Sequence, residues 1–191
     1  MAIYQYLLIA IPRKGIIDKY GYIPNKLIID YQERSEYFLL KKEGLLEGHE
    51  IYNDALLQKW WISTKINPME IIHQIDKIIK RSHYSKDQHV SWKYYTAEAD
   101  NDASLSFNED TGNIEELRFR ADLRENNLRF LHVIIDLSLK HDLMLMDMNG
   151  NLTEPVFSEV AKLVKTSNAF KFLENPLQFF DDIDNGTIKV E

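Results

Sequence analysis

The order of patterns along this 191-residue chain predicts an α+β fold. Three observations carry the prediction. An apolar, strand-like run (residues 4–11) precedes a capped amphipathic helix (67–81). A β-hairpin follows (103–123). A second apolar helix then leads into a last strand (128–148). The order β-α-β-β-α-β is that of the split βαβ, or ferredoxin-like, unit. The expected architecture is one domain over 1–191 with a ferredoxin-like core, an insertion at 12–66 after the first strand, and a C-terminal helical extension at 153–184.

In the first strand Tyr4, Tyr6, Leu8 and Ala10 alternate with Gln5, Leu7, Ile9 and Ile11, so both faces are nearly apolar. Such a strand lies inside a sheet that is covered on both sides. Two core helices cover only one side, so the insertion, the C-terminal segment or a second copy in a homodimer must cover the other. The insertion is broken by Gly15, Gly21, Pro24, Gly44 and Gly48, and reads as irregular, with a strand at 37–40 and a short helix at 54–61. The first core helix is clearer. Asn67 is a good N-cap, Pro68 fits the first helical position, Glu70 completes a capping box, and Ile71, Ile72, Ile75, Ile78 and Ile79 form its apolar stripe.

Val90, Trp92 and Tyr94 alternate with His89, Ser91 and Lys93 as a short extra strand. In the hairpin, residues 103–108 and 114–123 flank the turn Asp110-Thr111-Gly112-Asn113. Leu117, Phe119, Ala121 and Leu123 share one face of its second arm, and Glu116, Arg118, Arg120 and Asp122 share the other. That alternation predicts one buried and one polar side. Leu128, Leu131, Ile134, Ile135 and Leu139 give the second helix a broad apolar surface, and the strand at 143–148 ends in the turn Asn149-Gly150-Asn151. Thr153 is placed to cap a third helix, and the aromatic tail around Asn175-Pro176 is apolar enough to require packing.

Composition narrows the function classes. With 45% apolar residues the chain can build a core unaided. It has no cysteine, which removes thiolate nucleophiles, disulfides and zinc ribbons and fits a reducing compartment such as the cytoplasm. No basic segment precedes an apolar one as in a secretory signal, and no stretch reaches the roughly 18 apolar residues of a membrane span. The net charge of −7 argues against nucleic acid. No phosphate loop and no serine nucleophile elbow occur, and no cofactor is expected.

Acidic density is the one charge feature that stands out. Seven acids (Glu98, Asp100, Asp102, Glu109, Asp110, Glu115, Glu116) lie between Tyr94 and Leu117 with no Lys or Arg among them. The ordinary reading of such a run is a solvated hairpin. The functional one is a docking surface for a basic partner, because complementary potential steers encounter. Its candidate residues are Glu98, Asp100, Asp102, Glu109 and Asp110 with the aromatics Trp92 and Tyr94, although Trp92, like Trp60 and Trp61, is a natural core residue. The acid spacing fits no calcium loop, and Asp147-Met148-Asn149-Gly150-Asn151 reads as a strand-ending turn. His73 and His132 each precede an aspartate (Asp76, Asp136) on their own helix, and Glu70 with His73 is half of a di-iron motif that lacks its second half. An enzyme reading would use Asp100, Asp102 and His89 as a small metal-dependent hydrolase. A ligand-binding reading would line an apolar pocket with Trp92 or Phe179.

The segment 116–124 (ELRFRADLR), the helix ending near His141-Asp142, the strand to Asp147 and the segment 167–176 (SNAFKFLENP) resemble small bacterial α+β proteins, some of which are similar to immunity proteins of polymorphic or contact-dependent toxin systems. The resemblance covers about the last half of the chain. It implies a cytoplasmic protein without catalysis that neutralises a toxin domain, often a basic nuclease, by direct binding. It carries over no catalytic residue, and the insertion has no counterpart in it.

Overall fold

The computed structural model describes residues 3–46 and 52–188. Six strands, β1 (Gln5–Pro12), β2 (His89–Tyr95), β3 (Asp100–Phe107), β4 (Ile114–Asp122), β5 (Leu143–Met146) and β6 (Leu152–Thr153), form one sheet in the order β2-β3-β4-β1-β5-β6. Every neighbouring pair is antiparallel. Seven helices are described with it: α1 (Arg13–Tyr20), α2 (Tyr31–Glu43), α3 (Pro68–Asp76), α4 (Arg129–Lys140), α5 (Phe157–Thr166), α6 (Asn168–Glu174) and α7 (Pro176–Asp184). The protein is therefore α+β, and its sheet has more strands than the four of the predicted core. No described helix is long and apolar enough to cross a membrane.

Alternation sorts the sheet into two faces. Leu8 lies opposite Phe119, Phe119 opposite Ala103, and Ala103 opposite Trp92, which makes one apolar row across four strands. Phe130 of α4 meets Phe119 edge-on with centroids 6.4 Å apart, and Trp92 Nε1 donates to Asp76 of α3 at 2.9 Å, so both helices cover this face. Ile71, Ile72 and Ile75 of α3 and Leu131 and Ile134 of α4 are buried here.

On the opposite face Ile9 and Ile11 are buried beside Met146 and Met144. The insertion packs over this end. A methyl on Gly15 would stand 2.2 Å from the Trp60 carbonyl oxygen, so α1 and the Trp60 segment touch backbone to backbone. Leu27 N–H donates to the Gly150 carbonyl at 2.8 Å, and Trp61 lies across a cleft from Glu116 and Arg118. The β2–β4 end of the same face stays open.

Four local expectations are corrected. Residues 37–40 belong to α2 rather than to a strand. Asp30 caps that helix by accepting from Glu33 N–H at 3.0 Å, and Gly44 ends it at φ +72°, whereas a four-residue apolar run cannot by its period distinguish helix from strand. Residues 54–61 form turns rather than a helix. The Asp54 carboxylate accepts from Leu56 N–H at 2.8 Å, the kind of local bond with which aspartate competes against helix formation. Thr153 pairs with Leu145 in β6, and α5 begins only at Phe157. The helix expected over 67–81 also ends early, at Asp76, although Asn67 caps it as expected by accepting from Met69 N–H at 2.9 Å.

Candidate functional site

The open end of the second face is polar because β2, β3 and β4 each place every other residue on it. Lys93 lies opposite Asp102 and Asp102 opposite Arg120. Ser91 is followed across the strands by Ser104 and Arg118, and His89 by Ser106 and Glu116. These side chains floor two open cavities, of about 530 and 940 Å³, that share Glu116 and Arg118 and so form one groove. Tyr37, Phe38, Trp61 and Ile62 wall its first part, and the segment 81–84 walls the second. Three large side chains on its rim face solvent: Phe38 (56% exposed), Ile62 (69%) and Tyr84 (71%).

The charges on the floor answer one another. Asp102 accepts from Arg120 Nε at 2.8 Å and from Lys93 Nζ at 3.4 Å, and Lys93 also pairs with Asp100. Burial lowers the Lys93 pKa, but the bond to Asp100 and the charges of Asp102 and Asp100 outweigh it, so the net shift is upward and the ammonium is reinforced. Arg118 pairs with Glu116. Arg81 holds Asp76 at 2.7 Å and is the largest cause that keeps its carboxyl below the usual aspartate value, with Trp92 Nε1 a further donor.

The candidate site residues do not converge on one patch. Trp92 is buried at the row described above, so it is a core residue and is withdrawn from any surface. Tyr94 is exposed near the far end of β2. Glu98 lies in the turn between β2 and β3, whereas Glu109 and Asp110 occupy the exposed turn between β3 and β4. The length of β3 separates these turns by about 25 Å at roughly 3.3 Å per residue. Asp100 is buried, paired with Lys93, and its N–H donates to Asp122 Oδ2 at 2.7 Å. Of the acid run, only Asp102 and Glu116 line the larger cavity.

The residues of the enzyme reading are also apart. His89 and Asp102 sit four positions from each other along the β2–β3 ladder, about 13 Å, and His89 Nδ1 bonds with Ser106 Oγ at 2.9 Å. Among the described residues no group of three or more His, Asp and Glu side chains is placed to hold a metal ion. Asp76 turns to Arg81 and Trp92 rather than to His73, and the His132 ring stacks on Phe157 at 4.3 Å. Phe179 is buried and lines a cavity of about 370 Å³ with Tyr6, Leu7 and Leu163. Asp147 accepts from Asn149 N–H and Asn151 N–H at 2.9 Å each and is a turn-closing residue.

Compared with protein-family models, with curated proteins and with solved structures, the chain matches none. The groove therefore has to be read from its own chemistry. Its rim residues Phe38, Ile62 and Tyr84 were not singled out from the sequence, because nothing in their local pattern marks an apolar side chain as exposed. The floor was signalled by two alternations, Glu116, Arg118 and Arg120 on one strand and His89, Ser91 and Lys93 on another.

Proposed function

We propose that this protein is a non-catalytic module that binds another protein, and that the groove across β2–β4 is its docking surface. The observation that carries the reading is the rim: three large, exposed apolar or aromatic side chains surround a polar concavity. Aromatic and apolar side chains beside charged ones around a concavity are the composition of interaction hot spots. An immunity-type inhibitor of a basic toxin domain is the specific form we favour, since Glu109, Asp110 and Glu115 stand exposed at the hairpin end beside the first cavity. The lack of cysteine supports a cytoplasmic setting. We further propose that the core is ferredoxin-like, because β1, α3, β3, β4, α4 and β5 follow the split βαβ order and because the spatial order β5-β1-β4-β3, with α3 and α4 on one face, accords with it.

The hairpin acids supply a direct test. Exposed charges contribute little affinity per pair and act mainly on encounter. Changing Glu109→Gln and Asp110→Asn together should slow association with a partner captured from the source organism severalfold and flatten its salt dependence, while leaving dissociation unchanged. Association kinetics across a salt series read this, and an unaltered rate would remove the hairpin tip from the interface.

A further inference from the structure

Resting on the groove as the docking surface, we propose that its larger half, between β2–β4 and residues 81–84, receives an extended acidic segment of the partner. Arg81, Lys93, Arg118 and Arg120 are the residues that read it. By count the cations are cancelled by Asp76, Asp100, Asp102 and Glu116. By exposure they are not. The Lys93 side chain is 41% exposed against 12% and 13% for its partners Asp100 and Asp102. Arg120 is 39% exposed over the same Asp102, and Arg81 is 47% exposed against 29% for Asp76. Arg118 and Glu116 are equal at 35%. Asp100 and Asp102 thus lie deep beneath Lys93 and Arg120, Asp76 lies somewhat deeper than Arg81, and an arriving chain meets these cations first.

Donors remain available at the mouth. A guanidinium carries five N–H donors, and among the described residues Arg120 is bonded through Nε alone, to Asp102, and Arg118 through one terminal nitrogen, to Glu116, while Arg118 Nε is itself buried and out of a ligand's reach. Arg118 and Arg120 are two positions apart on one strand face, roughly 6.6 Å, which is also the spacing of alternate side chains in an extended peptide. A segment with Asp or Glu at every second residue can therefore present its carboxylates in register to the remaining terminal N–H donors of both. Nucleic acid is disfavoured, because Asp102 and Glu116 stay in the floor and the protein's net charge of −7 opposes a polyphosphate. The polarity is opposite to that of the hairpin tip, so the two ends of the groove select a partner that is basic at one point and acidic at another.

Fluorescence anisotropy with the full chain at low salt tests this. The probes are dye-labelled (Glu-Thr)4, (Lys-Thr)4 and an oligo-dT of equal length. The acidic peptide should bind at least tenfold more tightly than the other two, and Arg118→Gln with Arg120→Gln should weaken it at least tenfold. Arg81→Gln, at the bridge beside Trp92 rather than within β2–β4, should weaken it severalfold while lowering the melting temperature by only a few degrees, because Trp92 Nε1 still donates to Asp76, and so reports even where the double variant folds poorly. Equal binding of the two peptides, preference for oligo-dT, or indifference to Arg81→Gln would overturn the proposal. If the acidic peptide fails while the hairpin-tip variants still slow partner association, only the groove's polarity is wrong. If both fail, the binding-module reading falls with it.

Discussion

Trp92→Ala is expected to destabilise the protein by about 3–5 kcal/mol, the range for emptying a large aromatic from a core. Trp92 is 1% exposed, ends the row that runs through Ala103 and Phe119 to Leu8, and ties β2 to α3 through its 2.9 Å bond to Asp76. Truncation removes the packing and leaves Asp76 with one donor fewer. Trp92→Phe keeps most of the buried ring and loses the indole N–H, so its cost should be about 1.5–3 kcal/mol, that of a lost hydrogen bond to a charged group. Urea unfolding followed by circular dichroism separates the two. A Trp92→Ala loss below about 1 kcal/mol would mean that this ring is not in the core. Under the interface reading of Trp92 the change would have weakened binding at unaltered stability; the buried position predicts the reverse.

Asp54→Ala should be comparably costly but local. Asp54 is fully buried and accepts from Asp30 N–H at 2.7 Å, Leu56 N–H at 2.8 Å and Arg34 at 2.8 Å. Beside it, Glu33 accepts from Asn53 N–H at 2.9 Å, so the start of α2 and the loop at 52–56 are pinned by two carboxylates. No residue of α2 is buried. The helix is held by these bonds rather than by an apolar face. Removing Asp54 leaves a nearly buried guanidinium and two backbone donors unpaired, which costs about 3–5 kcal/mol where the whole fold must carry it. Because the bonds all lie within the insertion, the loss should surface as sub-global opening there. Amide hydrogen exchange should accelerate by two or more orders of magnitude at Ala55 and through α2, and little in β1, β4 and β5. Uniform acceleration across the sheet would contradict this division.

Much of the sheet was legible because its signals are local. Leu117, Phe119 and Ala121 alternate with Glu116, Arg118 and Arg120, and the hairpin turn carries its glycine at φ +68° (Gly112). Asn67-Pro68 marks a helix start within two residues. The insertion was harder to read because its order comes from Asp54 and Glu33 reaching across some twenty residues, for which sequence spacing has no signature. The groove was illegible for the same reason. Counting charges between Tyr94 and Leu117 makes the region purely acidic, but strand pairing brings Lys93 to Asp100 and Asp102, and Arg120 to Asp102, and sends Glu98 and Glu109 to opposite ends. Net charge survives folding, whereas the sign of a surface is set by which partner of each pair lies deeper.

The central claim, that the groove is where this protein binds another, is tested most directly by charging its rim. Phe38→Asp with Ile62→Asp alters two side chains that are 56% and 69% exposed, so the fold should keep its melting temperature within a few degrees. Chemical cross-linking capture from lysate of the source organism, run in parallel with the unaltered protein and the double variant, compares what each retains. The groove reading predicts a partner that is captured by the unaltered protein and reduced at least tenfold with the variant. Equal capture by both would place the interface elsewhere and contradict it.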